Sequence, residues 1–195
     1  MWDQRYNTSD YVYGTEPNDF LASAIEELPK GQALCIAEGE GRNAVFLAEH
    51  GHQVLAVDSS AIGLEKAARL AAERGVRIAT EVTDLAHFDV EADSWDTVIS
   101  IFAHVPPAIR KPLHKKIVGG LRSGGVLVLE AYTPAQVGLG TGGPPVPELT
   151  MTLAELRQEL HGLHFIHAVE QEREVIEGSL HTGRGAVVQV LAVKP

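Results

Sequence analysis

Residues Ala33 to Ser59, ALCIAEGEGRNAVFLAEHGHQVLAVDS, carry the reading of the fold. The apolar run Ala33 to Ala37 suits a buried strand and is too short for a helix. A tight loop follows, Glu38-Gly39-Glu40-Gly41-Arg42, and then a helix-forming run from Asn43 to His50 with Ala44, Phe46, Leu47 and Ala48 on its apolar side. Gly51 is placed to end that helix. A second apolar run, Val54 to Val57, stops at Asp58. Strand, glycine turn, helix and a strand closing on a carboxylate make half of a nucleotide-binding α/β unit.

Gly39, Gly41 and Ala44 satisfy G-x-G-x-x-A, and Asp58 lies where a ribose-binding acid is expected. The pattern alone fits NAD and other adenosine cofactors equally. The neighbouring charges separate them. A dinucleotide lays its pyrophosphate on the loop and the helix N-terminus, where carboxylates repel it. This loop carries Glu38 and Glu40, with Arg42 only beyond them. S-adenosylmethionine has no phosphate and presents an ammonium near a sulfonium, so an acidic loop suits it.

With these residues the chain resembles the class I S-adenosylmethionine-dependent methyltransferases, and more closely the bacterial tellurite-resistance and thiopurine-methyltransferase-like branch, where Arg-Asn often follows the loop as Arg42-Asn43 does here. The resemblance covers nearly the whole chain. It implies an α/β Rossmann-like sandwich with a seven-stranded, mostly parallel sheet, a C-terminal antiparallel hairpin and helices on both faces. The cofactor it implies is S-adenosyl-L-methionine. Along that cofactor the resemblance places Tyr13 of an N-terminal lid, Glu38, Gly39, Gly41 and Asn43 of the loop, and Asp58 and Ser59 after the second strand. It adds Asp84 and Leu85 after the third strand, with Asp84 on the adenine amino group, and Ile101 and Phe102 at the end of the fourth. Two residues depart from the family pattern. Cys35 stands at the place of its usual strand acid and Ala37 at that of its first loop glycine, so Glu38 or backbone carbonyls are expected to hold the methionine ammonium.

One domain is expected for 195 residues. Within it, 1–30 form a lid and helix, 31–132 the cofactor-binding core, 133–150 a mobile loop, and 151–195 a helix and strand hairpin. A formal charge of −10 argues against nucleic acid and against an anionic membrane surface. A single cysteine fits a reducing compartment, and the N-terminus lacks a signal-like apolar region, so the expected location is the cytoplasm. The expected partner is a small methyl acceptor, with the chain a monomer or homodimer.

Along the chain, Trp2, Tyr6, Tyr11 and Tyr13 crowd a polar N-terminal segment suited to a lid. Phe20 to Leu28 has helical spacing, with Asn18 or Asp19 as its cap. Ser59 or Ser60 caps a helix that ends at Gly75, and Val76 to Val82 alternates as a strand closing on Thr83-Asp84-Leu85. Trp95 to Phe102 is a fourth strand running into His104-Val105-Pro106-Pro107. Pro106 to Leu121 reads as a helix that Pro112 is placed to split. Val126 to Glu130 is a buried strand with Glu130 and Tyr132 at its mouth. The Gly- and Pro-rich stretch Thr133 to Thr150 suits a mobile element over a site. Thr152 to Glu155 is a capping box, and Phe165 to Val175 and Gly185 to Val193 are two final strands. Their joint, Glu177 to Arg184, brings glutamate, histidine and arginine together.

The function expected is methyl transfer to a small acceptor, perferably a soft thiol, selenium or tellurium species; an NAD-dependent oxidoreductase and a non-catalytic S-adenosylmethionine-binding protein are the alternatives. His104 and His181 are the candidate bases should the acceptor be oxygen, and Arg184 the candidate cation for an anionic acceptor.

Overall fold

The computed structural model describes residues 2–195. Seven strands form one sheet: β1 (Gln32–Ile36), β2 (Gln53–Asp58), β3 (Ala79–Val82), β4 (Trp95–Ile101), β5 (Leu121–Tyr132), β6 (His164–Glu177) and β7 (His181–Val193). Their order is β3-β2-β1-β4-β5-β7-β6. β1 through β5 pair in parallel, and β7 runs antiparallel to both β5 and β6. The chain crosses from one half of the sheet to the other between β1 and β4, and the carboxyl ends of strands at such a point form the ligand crevice of open α/β sheets.

Strand parity divides the core. Leu34, Ile36, Val98, Leu127 and Leu129 face one side, against α5 (Pro107–Gly120) and α6 (Leu153–Glu159). Ala33, Cys35, Ala56, Ile99 and Val128 face the other. There they meet Phe20, Leu21 and Ala24 of α2 (Asp19–Ala24), Ala44 and Leu47 of α3 (Arg42–Glu49), and Leu64 of α4 (Ala61–Glu73). A strand buried on both faces reads as a continuous apolar run, which is why β1, β4 and β5 stand out in the sequence. Among the described residues no helix is long and apolar enough to cross a membrane.

Several boundaries differ from expectation. β3 keeps only Ala79–Val82 of the run from Val76 and is exposed throughout, because as an edge strand it pairs with β2 alone. α5 runs unbroken through Pro112, with Arg110, Leu113, His114 and Ile117 buried along it. α2 gives way to a 3-10 turn at Ile25–Glu27, and Asn18, rather than Asp19, is its cap, accepting the Leu21 N–H at 3.0 Å. The largest change is in the hairpin. β6 extends to Glu177 and β7 begins at His181, so the joint shrinks to residues 178–180.

The N-terminal segment opens with α1 (Trp2–Tyr6), whose Tyr6 is buried against the glycine loop and α4. The Thr133–Thr150 stretch contains 3-10 turns at Pro134–Gln136 and Pro147–Leu149. Gln136 ties it down: its Oε1 accepts the Ala186 N–H at 2.8 Å and its Nε2 donates to Gly142 O at 2.9 Å.

Candidate cofactor and acceptor site

The glycine loop leaves β1 through Ala37, which sits at φ +49°, and turns through Gly39 and Gly41 at φ +62° and +91°. Gly41 occupies the cap position of α3 and has no side chain to cap it. Glu38 takes over that task. Its Oε1 accepts the N–H groups of Asn43 and Ala44 at 2.9 and 2.8 Å, satisfying two free amides at a helix N-terminus. Oε2 makes no protein hydrogen bond among the described residues and is not fully enclosed. Burial pushes the Glu38 carboxyl up to about 7, with the Ala44 amide, Arg42 and the Asn43 amide pulling the other way.

Glu40 points elsewhere. It forms an ion pair with buried Lys66 of α4 and accepts the Val12 and Tyr13 N–H groups at 2.8 and 3.3 Å. Of the two loop carboxylates, then, one caps α3 and one fastens the N-terminal segment. Cys35 is buried in β1 between Ala56 and Ile99, and burial raises its thiol well above the ordinary range.

Asp58 closes β2 beside this loop. Its Oδ2 accepts the Gly39 N–H at 2.9 Å and its Oδ1 the Ser60 N–H at 2.8 Å. Burial raises the Asp58 carboxyl, opposed by those amide bonds. Ser60, and not Ser59, caps α4, accepting from Gly63 N at 3.0 Å, while Ser59 is exposed. Tyr6 lies on the loop so closely that a Cβ on Gly39 would come within 2.5 Å of its hydroxyl. Tyr13 follows, its hydroxyl taking a hydrogen bond from Arg5 at 3.0 Å. Asp84 is exposed and its Oδ1 caps a turn, accepting the Ala86 N–H at 2.9 Å, while Leu85 beside it is buried. Ile101 is buried at the end of β4, and Phe102, at φ +52°, turns out of the strand toward the crevice.

Beyond Phe102 the crevice is aromatic. The rings of Phe102 and Tyr132 stack at 4.5 Å, and His104 stacks on Tyr132 at 5.6 Å. His181 stands edge-on to Phe102 and Tyr132 at 5.1 and 5.4 Å and touches Tyr13 at 4.6 Å. Two polar atoms buried here have no hydrogen-bond partner, Tyr132 Oη and His181 Nδ1. Unpartnered buried polar atoms are rare and mark places where a ligand or a proton is handled.

Two of the catalytic candidates have their side chains engaged by other residues of the chain. His104 has both ring nitrogens engaged: Nδ1 lies 2.8 Å from Leu149 O, and Nε2 accepts the Tyr132 N–H at 3.3 Å. Burial pushes it down to about 4. It is a neutral brace between β5 and the 147–150 turn, with no nitrogen left to take a proton. Arg184 is exposed and ion-paired with Glu172, on the opposite side of β7 from His181. The cause is strand parity: because β7 begins at His181, residues 181, 183 and 185 turn inward and 182 and 184 outward.

The charged residues that do lie behind the crevice went largely unread in sequence. Glu130, fully buried, accepts from Arg173 Nε and Nη2 at 2.7 and 2.8 Å, from Gln189 at 2.8 Å and from Asn18 at 2.5 Å. Glu177 accepts from Arg42 at 2.6 Å and from Asn18 at 2.8 Å, and its Oε2 lies 3.7 Å from His181 Nδ1. Despite burial, the His181, Arg42 and Asn18 contacts hold Glu177 down at about 2. Glu130, expected at the mouth of β5, is thus enclosed in this network. A signal for the inward face did exist: Arg173, Val175 and Glu177 alternate along β6 with exposed Glu172, Glu174 and Ile176.

The residues present fit S-adenosylmethionine. Glu38 keeps one carboxylate oxygen free of protein hydrogen bonds, Asp58 ends β2 beside it, and the Glu38 carboxylate disfavours a phosphate.

Comparison with known proteins agrees. Residues 33–125 match a methyltransferase domain family. The 2-heptyl-1-hydroxyquinolin-4(1H)-one methyltransferase of Mycobacteroides abscessus is 29% identical over 138 residues, covering 68% of this chain. The match spans 61% of that relative's length. TehB from Haemophilus influenzae superposes with a TM-score of 0.76 at 17% identity, over 100% of this chain and 66% of that one. NodS from Bradyrhizobium japonicum, an N-methyltransferase solved with S-adenosyl-L-homocysteine, superposes with a TM-score of 0.72 at 14% identity, over 100% and 96%. Over residues 33–125 the chain is similar to a methyltransferase domain, and it shares the fold of TehB and NodS.

Proposed function

We propose that this protein transfers a methyl group from S-adenosylmethionine to an oxygen atom of a small aromatic acceptor. The observation that carries the reading is the crevice wall itself: stacked Phe102, Tyr132 and His104, crossed by His181, beside the glycine loop. Such a wall offers flat apolar faces to a planar ring, with few polar atoms to orient it. The relative from Mycobacteroides abscessus, named for a hydroxyquinolinone, supports an oxygen on an aromatic scaffold. A soft chalcogen anion would call for a free cation in the crevice. Arg184 turns away, and Arg42 and Arg173 are each committed to a buried carboxylate.

The bound cofactor supplies a methyl group already activated on a sulfonium. What remains for the chain is binding, alignment and exclusion of water. In this reading Glu38 Oε2 receives the ammonium, Asp58 the ribose hydroxyls, and Leu85, with Asp84 at its side, the adenine. Tyr6 and Tyr13 cover the loop and keep solvent out. An NAD-dependent oxidoreductase meets the Glu38 carboxylate where its pyrophosphate must lie. A non-catalytic binder is separated from an enzyme by turnover.

Calorimetry with S-adenosylhomocysteine and NAD, followed by labelled-methyl transfer to a panel of hydroxylated heteroaromatics and thiols, tests this. S-adenosylhomocysteine binds, NAD does not, and label appears on oxygen. Asp58→Ala weakens S-adenosylhomocysteine by about 1–3 kcal/mol, since hydroxyls are left unpaired. Tight NAD binding, or methylation of thiols alone, overturns the reading.

A further inference from the structure

His181 and Glu177 face each other across the three-residue turn between β6 and β7, and the network behind them gives each a task. We infer that His181 is the base that takes the acceptor's proton and that Glu177 is the residue that positions it, held in turn by Arg42 of the glycine loop. The inference rests on the oxygen-acceptor reading above and deepens it.

The geometry orients the ring. Nδ1 is the buried nitrogen, it has no hydrogen-bond partner, and Glu177 Oε2 is the carboxylate oxygen facing it at 3.7 Å. A carboxylate there selects the tautomer with the proton on Nδ1 and leaves Nε2 bare. Nε2 makes no hydrogen bond among the described residues, so it is the nitrogen left for the acceptor, in a ring that packs on Phe102, Tyr132 and Tyr13. Glu177 is fit for the role because it stays ionised across the working pH range. Its position is fixed from two directions, by Arg42 on Oε2 at 2.6 Å and by Asn18 on Oε1 at 2.8 Å. Arg42 is the first residue of α3, directly after the glycine loop. The base is therefore tied, through Glu177, to the same turn that receives the cofactor.

The balance is simple. The acceptor O–H bond breaks and its proton passes to Nε2. The oxygen pair makes the new bond to carbon as the carbon–sulfur pair stays on sulfur, and the imidazolium later returns its proton to water. His104 cannot serve instead, as both its nitrogens are occupied.

The charges around His181 set the sign of the test. Glu177 approaches from β6, the Tyr13 phenol from the N-terminal segment and the Tyr132 phenol from β5; His104 lies beyond Tyr132, and Arg42 and Arg173 stand behind Glu177. Removing the carboxylate charge leaves the two guanidiniums, so the imidazolium loses its stabiliser and the ring titrates at lower pH.

The experiment uses the full chain with ¹⁵N-labelled histidine. Wild type shows His181 as the Nδ1–H tautomer, and Glu177→Gln moves its titration midpoint down and populates the other tautomer. With a hydroxylated aromatic acceptor, His181→Gln lowers kcat about a hundredfold or more. Glu177→Gln shifts the acidic limb of kcat/KM to lower pH, and S-adenosylhomocysteine affinity is retained in both variants. An Nε2–H tautomer in wild type, a titration unmoved in Glu177→Gln, or a His181→Gln rate within threefold of wild type overturns the inference. A wild type that binds S-adenosylhomocysteine but methylates only thiols overturns the oxygen-acceptor reading itself.

Discussion

The glycine loop and the β6–β7 hairpin meet at Arg42 and Glu177, yet they are built by opposite means. The contacts that shape the loop's turn into α3 and tie it to β2 lie within one short run of chain: Glu38 caps the helix five and six residues ahead, and Asp58 holds Gly39 from the next strand. The hairpin's charged residues find their partners far off in sequence. Glu177 bonds Arg42 at a separation of 135 residues and Asn18 at 159, and Arg173 reaches Glu130 across 43. A local motif is set by spacing, while a non-local one exists only once the sheet has closed and a burial cost has been met. The two regions should therefore fail differently.

The sharpest way to test that difference is to remove one partner from the non-local cluster. Arg173→Met strands Glu130, which is fully buried. Breaking a buried ion pair from one side costs about 3–5 kcal/mol, because the remaining charge has no solvent. Urea denaturation of Arg173→Met is expected to show a loss of that size, and the double variant Arg173→Met, Glu130→Leu to recover a large part of it. If the single variant unfolds at the wild-type urea concentration, the cluster contributes nothing and the contrast between the regions collapses.

The same contrast explains what was legible. The β1–α3–β2 unit, a serine cap at Ser59 or Ser60, the capping box at Thr152 and every strand of the sheet announce themselves through periodicity or a short spacing. Arg184 did not, because its facing depends on where β7 begins. A strand assumed to start at Gly185 leaves Arg184 free in a turn; one that starts at His181 fixes it outward. His104 looked like a base because near-neutral titration is the ordinary property of histidine, and nothing local announces that Leu149 and Tyr132 use both of its nitrogens. Glu40 counted only as part of an acidic loop, and nothing local announces its pairing with Lys66 on the next helix. Asn18 carried a visible cap signal, but its amide bonds to Glu130 and Glu177 had none.

A smaller effect probes the loop alone. Glu38 titrates near 7 when folded against an ordinary 4.5. A raised carboxyl contributes stability that is fully present below pH 4.5 and is lost as pH rises through about 7. Glu38→Gln is expected to flatten that part of the ligand-free stability profile. The cofactor's ammonium favours the ionised carboxylate, so S-adenosylhomocysteine should bind about tenfold more weakly for each pH unit below 7, with a proton released on binding. Calorimetry in buffers of different ionisation enthalpy counts that proton. Affinity that is flat between pH 6 and about 8, in wild type as in Glu38→Gln, would take Glu38 out of the cofactor site.

The smallest effect lies at Ala37 and is the most local of all. This residue holds φ +49°, in the left-handed region, at the place where the resembling family carries glycine. For a residue with a Cβ that conformation costs about 1–2 kcal/mol. Glycine adopts it freely but has more freedom to lose on folding, which takes back about 0.4–1 kcal/mol. The balance for Ala37→Gly is a gain of about 0–1.6 kcal/mol, read as a small rise in Tm. No distant residue enters this account, so the gain should persist undiminished in the Arg173→Met background, the two effects adding as independent sites do. A gain that vanishes there would mean that the loop and the hairpin cluster fold as one coupled unit. A fall in Tm in the wild-type background would mean that the Ala37 methyl, packed against the core formed by Leu34 and Ile36, outweighs its backbone strain.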